Sequence, residues 1–247
     1  MRPLIIGNWK MHGLAAQLEG IQALSNAMKA RPSHADVLIC PPFTLIERSV
    51  RVAAGLISIG AQNCHHEAFG ACTGDVSAEM LKDSGASAVI VGHSERRRQH
   101  GETSAVVAAK AHAAVRAGLQ AIICIGETQA QRAAGMSLKV CGEQLAQSLP
   151  QGIDASACVI GYEPLWAIGS GHVPGADLIG AMHGHIRLCL LSMLGLAGQG
   201  VRILYGGSVT QDNADQFLAL CEVGGLLIGG ASLDPVEFEA IVRVVKS

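Results

Sequence analysis

Charge is in short supply along this chain. Only 15% of its 247 residues are Asp, Glu, Lys or Arg, and 18 basic against 20 acidic side chains leave a net charge of −2. That balance gives no electrostatic reason to expect nucleic acid or an anionic membrane as a partner. The one basic run, Arg96-Arg97-Arg98, follows Ser94-Glu95 and reads as ion pairing near a helix start. Long apolar runs are also missing: the stretch around Leu188 to Ala197 is interrupted by Ser192 and falls short of a membrane span. Near the N-terminus, Leu4-Ile5-Ile6 is too short for a secretory core, so the expected location is cytoplasmic. No Cys-x-x-Cys pair occurs among the eight cysteines, and Cys40, Cys124 and Cys158 sit inside apolar runs, as reduced core thiols do. No Pro-, Ser- or charge-rich linker divides the chain, and 49% hydrophobic residues are ample for a large core.

What is present is an alternation. Eight short β-type runs occur at Leu4 to Gly7, Val37 to Cys40, Ile57 to Ala61, Ala88 to Val91, Ala121 to Ile125, Cys158 to Tyr162, Val201 to Tyr205 and Leu226 to Ile228. Longer stretches with helical spacing lie between them, such as Gln17 to Lys29, Ser104 to Ala117 and Leu178 to Leu194. The β runs are almost uniformly apolar, as strands covered on both faces are. Eight such units without a break predict one α/β domain over residues 1–247, a (β/α)8 barrel.

Barrel chemistry sits at the carboxyl ends of the strands. There the sequence places Asn8 and Lys10 after strand 1, His93-Ser94-Glu95 after strand 4, Glu163 after strand 6, and the glycine turns YGGSV and IGGAS after strands 7 and 8. Glycine turns let backbone N–H groups approach an anion, which suits a phosphate beside Lys10. A helix starting right after His93 disfavours a further positive charge there, so its imidazole is expected to be a neutral hydrogen-bond donor. Glu163, followed by Pro164, ends its strand as a carboxylate next to an electrophile, without a metal set. That combination suggests proton abstraction beside a carbonyl. The apolar, glycine-tipped segment after Glu163 suggests a lid. His65, His66, Glu67 and the pair His183 and His185 lack the spacing of a known metal site and read as exposed loop and helix histidines, with no metal expected.

Six blocks, GNWKM (7–11), VGHSERR (91–97), CIGE (124–127), YEPLWAIGSG (162–171), YGGSV (205–209) and IGGASL (228–233), resemble the triosephosphate isomerase family in order over the whole chain. The resemblance implies a cofactor-free interconversion of dihydroxyacetone phosphate and D-glyceraldehyde 3-phosphate through an enediol. It makes Glu163 the base, His93 the electrophile, and Asn8 and Lys10 the groups that hold substrate and developing charge, with Glu95 a carboxylate behind them. Gly169, Ser208, Gly229 and Gly230 would cradle the phosphate. Pro164, Leu165, Trp166, Ala167, Ile168, Gly169, Ser170 and Gly171 form the lid, with Tyr205 its latch. The segment FGACTGDVS (69–77) resembles the loop that docks into a second subunit, with Thr73 reaching the neighbour's site, so a homodimer is implied. Departures are also visible. Cys72 stands where that loop usually carries an aromatic, and Pro174 follows the lid. Gly224 replaces an aspartate, which leaves open what Arg187 pairs with. A Schiff-base aldolase would share the phosphate-binding barrel but needs a desolvated lysine where strand 6 offers Glu163.

Overall fold

Uniformly apolar strands cannot leave either face in water, and here both faces are covered. In a computed structural model describing residues 1–169 and 173–246, eight parallel strands pair in sequence order and close into a barrel. They are β1 Leu4–Asn8, β2 Asp36–Cys40, β3 Ser58–Ala61, β4 Ala88–Val91, β5 Gln120–Ile125, β6 Cys158–Tyr162, β7 Arg202–Tyr205 and β8 Gly225–Ile228. The seam closes where Leu4 of β1 pairs with Gly225 of β8, and each expected strand lies within a residue or so of its observed span.

Alternation along the strands sorts the core into two layers. Leu4, Ile6, Leu38, Cys40, Ile90, Ile122, Cys124, Val159, Leu204 and Leu227 point inward and fill the barrel. Their neighbours, among them Ile5, Val37, Ile39, Val89, Ile123, Ile160 and Ile203, point outward and pack under the helices. This is the layered filling of a small closed barrel, a packed core rather than a pore. All eight cysteines are free, and burial pushes the thiols of Cys40 and Cys124 well up, which keeps them inert as small core residues.

The helices start where the sequence supplies caps. Thr103 accepts from Val106 N–H to open Ser104–Arg116, Ser77 from Met80 N–H to open Ala78–Asp83, and Asp234 precedes Pro235 at the start of Pro235–Val244. Helix Ser94–His100 begins directly after His93, as expected.

The longest helix, Ala176–Leu194, departs from the sequence reading in two ways. With the 3-10 turn that follows, the span Ala176–Gly200 is long and apolar enough to cross a membrane by length and composition, although Ser192 and Arg187 interrupt it. Its inner face, Ile179, Met182, Ile186 and Leu190, is buried. His183, expected to be exposed, is fully buried on that face, because it packs edge-on against Tyr162 with ring centroids 5.9 Å apart. Its Nδ1 lies 3.1 Å from the Glu222 carbonyl, and burial lowers its pKa to about 4. Arg187, one turn on, pairs with Glu222 at 2.7 Å and with the Gly198 carbonyl at 2.5 Å. Glu222 reaches both partners from a left-handed backbone conformation (φ 67°). The charge that Gly224 lacks is thus supplied two residues earlier.

Because His183 has a lower pKa folded than unfolded, the unfolded chain takes up this proton first as pH falls from 6.5 to about 4. Its contribution to stability is therefore present above 6.5 and lost through that window. Urea unfolding followed from pH 7 to pH 4 is expected to show a shallower loss of stability in His183→Leu than in the wild-type protein; parallel curves would mean that another group carries the titration.

Candidate active site

Strand ends set the positions of the polar side chains. Asn8 is the last residue of β1, and its Oδ1 accepts the backbone N–H of Lys10 at 3.1 Å. Lys10 itself adopts a left-handed backbone (φ 54°), uncommon for a residue with a side chain. Gln62, just past β3, holds that turn: its Nε2 donates to the Lys10 carbonyl at 2.8 Å and to the Cys40 carbonyl at 2.9 Å. The turn aims Nζ of Lys10 at Glu95, 2.7 Å away. Lys10, Asn8 and Glu95 thereby lie on one side of the mouth.

Glu163 faces them from the end of β6. It is 3% exposed, and its Oε1 lies 2.9 Å from His93 Nε2 while its Oε2 accepts the Ser94 backbone N–H at 3.0 Å. Gly126 makes this approach possible, since a Cβ there would lie 1.8 Å from the Glu163 carbonyl oxygen. Burial raises the proton affinity of the carboxylate, but His93, the Ser94 N–H and Lys10 together outweigh it and hold Glu163 below the usual carboxylate range. For His93, burial opposes a charge while Glu163 and Glu95 favour it, and the net direction is upward. That upward pull comes chiefly from contact with Glu163. Against it, His93 Nδ1 accepts the Glu95 backbone N–H at 3.2 Å, a bond that an imidazolium, with no lone pair left, gives up. The bond defines the tautomer: Nδ1 accepts and Nε2–H donates to Glu163.

The segment after Glu163 is tied down at several points. Leu165 N–H donates to the Glu127 carbonyl, and Trp166 Nε1 donates to Glu127 Oε1 at 2.9 Å. The same carboxylate oxygen accepts the Tyr162 hydroxyl at 3.2 Å, and Arg132 stacks over the Trp166 ring at 3.5 Å. Pro164 and Ala167 are buried and Ile168 half-buried, while the Ser208 hydroxyl donates to the Ala167 carbonyl at 2.8 Å. Ser170 and Gly171 lie outside the described residues.

One cavity of about 190 Å³ joins these parts. Asn8, Lys10, His93 and Glu163 line it together with Ile168, Gly169, Ser208, Gly229 and Gly230. All four expected catalytic residues and all four expected phosphate-site residues therefore meet in one space. Tyr205 lies beneath it, fully buried and tilted against Phe217 at 4.5 Å; its hydroxyl has no partner among the described residues and occupies the space a side chain at Gly207 would need. Cys72 and Thr73 are away from this cavity, on an exposed loop. Sequence reasoning gave no role to Gln62, Glu127 or the Ser94 N–H, because each acts across the mouth on a strand end far away in sequence. A polar residue closing an apolar run marked both Gln62 and Glu127, and Glu127 also ends the CIGE block.

The family model described as triosephosphate isomerase matches residues 3–245. Triosephosphate isomerase of Rhodopseudomonas palustris (strain BisA53) is 53% identical over 244 residues, 98% of this chain and 96% of that protein. That of Hyphomonas neptunium is 52% identical, with 98% of each chain covered. The crystal structure of triosephosphate isomerase from Bartonella henselae superposes with a TM-score of 0.92 at 42% identity, covering 99% of both chains. The chain belongs to the triosephosphate isomerase family. Neither Cys72 nor Gly224 lines the cavity.

The Gln62 contacts generate a prediction for this isomerase family member. Gln62→Leu removes the two hydrogen bonds that hold the left-handed Lys10 turn, and is expected to lower kcat/KM for triose phosphate by about tenfold, equivalent to about 1.4 kcal/mol, while leaving the far-ultraviolet circular dichroism unchanged. Unchanged kcat/KM would show that Lys10 is held without it.

Proposed function

We propose that the family's reaction, interconversion of dihydroxyacetone phosphate and D-glyceraldehyde 3-phosphate, runs in this chain by proton transfer through an enediolate with Glu163 as the base and His93 as a neutral electrophile. The chain is an isomerase acting on triose phosphates. The observation that carries the mechanism is the meeting of a buried, ionised Glu163 with the Nε2–H of His93 in the cavity that also holds Lys10 and the glycine turns.

In this scheme the phosphate rests on backbone N–H groups at Gly169, Ser208, Gly229 and Gly230, which fixes the distance from phosphate to reacting carbons. Lys10 offsets substrate charge and Asn8 orients the oxygens. Glu163 leaves His93, removes a carbon-bound proton and returns it to the adjacent carbon, while His93 Nε2–H donates to the oxygen that gains charge. Once Glu163 has moved onto substrate, His93 loses the main influence that raised its proton affinity and remains neutral. No cofactor or metal is needed. Lid closure over residues 164–171 excludes water and carries Glu163 into place, because the two are continuous in sequence. Glu127 holds the lid's near end through Trp166, and the buried Tyr205 hydroxyl supports a latch role at the far end, where buried Pro174 can offer no N–H.

The same reading extends to assembly. Met11 (94% exposed) and Leu14 (77%) lie just beyond Lys10, and Phe69 (84%) lies on the loop of Cys72 and Thr73. Apolar side chains this exposed, just after Lys10 in sequence and on one exposed loop, support a homodimer in which that loop docks beside the partner's site. Phe69 offers an aromatic three residues before Cys72. The proposed setting is the cytoplasm, with no nucleic acid or membrane partner.

Steady-state kinetics and inhibitor binding test the scheme. Glu163→Asp retracts the carboxylate by one methylene and is expected to lose at least about 10²-fold in kcat with the fold intact, and Tyr205→Phe to weaken a phosphorylated enediol mimic by about 0.5–1.5 kcal/mol. Wild-type turnover in the first variant would remove Glu163 from its role, and unchanged affinity in the second would remove the latch.

A further inference from the structure

The loop between β3 and helix Ala78–Asp83 folds back on itself and gathers three donors that sequence spacing keeps apart. His65 is pinned to the returning arm: its N–H donates to the Val76 carbonyl at 2.8 Å, and it forms a β-bridge with Ser77. A tight turn brings Cys72 and Asp75 together, with Asp75 N–H donating to the Cys72 carbonyl at 3.0 Å. As a result, one ligand atom each from His65, Cys72 and Asp75 lies within 4.8 Å of the other two. The His65 ring is oriented by stacking on His66 (4.4 Å between centroids) and by the Glu67 N–H at Nδ1 (3.1 Å).

We propose that this loop is a binding site for a thiophilic divalent cation of the zinc type, separate from the catalytic cavity. Imidazole, thiolate and carboxylate together suit Zn²⁺ or Co²⁺ and not the oxygen-seeking Mg²⁺ or Ca²⁺. Metal–ligand distances of about 2.0–2.3 Å put tetrahedral ligand atoms roughly 3.5 Å apart, so the three donors need to close by only about 1 Å. The backbone already holds them near that arrangement, and the fourth position is left to water. On binding, Cys72 releases its thiol proton to solvent and coordinates as thiolate. Coordination through His65 Nε2 puts the ring proton on Nδ1, and the Glu67 N–H exchanges its bond for one to water at an exposed residue. A filled site takes Cys72 and Asp75 out of docking, so metal binding opposes the dimer. That second part rests on the dimer reading above.

The test is a Co²⁺ titration of the full-chain protein in a non-thiol reductant. The expected result is a thiolate-to-cobalt charge-transfer band that saturates at one ion per chain and is removed by Zn²⁺. The band is lost in Cys72→Ser, weakened about tenfold in affinity in Asp75→Asn, and kept in Cys221→Ser, which alters an exposed cysteine elsewhere. No band in the wild-type protein, or a band that survives Cys72→Ser, overturns the site whatever the assembly state. Sedimentation velocity on the same samples is expected to shift toward monomer with Zn²⁺ in the wild-type protein and not in Cys72→Ser. An unshifted dimer carrying the band overturns the coupling, whereas a metal-free monomer overturns the dimer reading and leaves the site standing.

Discussion

The contact between Glu163 and the first turn of helix Ser94–His100 is the constraint on which the rest of the site depends. A carboxylate this deeply buried is costly to ionise unless charge or hydrogen bonds meet it on every side. Here one oxygen meets the Nε2–H of His93 and the other a backbone N–H at a helix start, where unpaired donors and the helix dipole both favour an anion. The same helix start supplies the N–H that occupies His93 Nδ1. One structural element thus meets both the buried carboxylate and the imidazole beside it.

The barrel delivers these groups by placing strand ends side by side. β1 contributes Asn8 and the Lys10 turn, β4 the His93 helix start, β6 Glu163, and β7 and β8 the glycine turns, and adjacent strand ends sit close enough for side chains to touch across the mouth. Gln62 and Glu127, from the ends of β3 and β5, complete the ring without lining that cavity. Gln62 stabilises a left-handed lysine, and Glu127 gathers Tyr162, Trp166 and the Leu165 N–H around the end of β6. The left-handed Lys10 turn and the anchoring of Leu165 and Trp166 are both consequences of strand-end geometry.

Much of this was legible in the sequence because strand and helix periods are local. The β runs at Ala88 to Val91 and Cys158 to Tyr162 coincide with the observed strands, and residues just past them are the ones in the cavity. What escaped was long-range. His183 looks like a surface histidine until the helix is seated and its ring meets Tyr162. The partner of Arg187 could not be inferred from Gly224, because Glu222 reaches it only by adopting a left-handed backbone, which sequence does not announce for glutamate. The convergence of His65 with Cys72 and Asp75 likewise depends on how one loop folds back, with no motif spacing to mark it.

In the proposed mechanism the site separates charge in one way, with Glu163 ionised and His93 neutral when substrate is engaged. Nitrogen-15 NMR of histidine-labelled protein with a phosphorylated enediol mimic bound at neutral pH reads it directly. The expected spectrum is that of a His93 ring with a bare Nδ1 and a protonated Nε2. Two protonated nitrogens, the signature of an imidazolium, would contradict it.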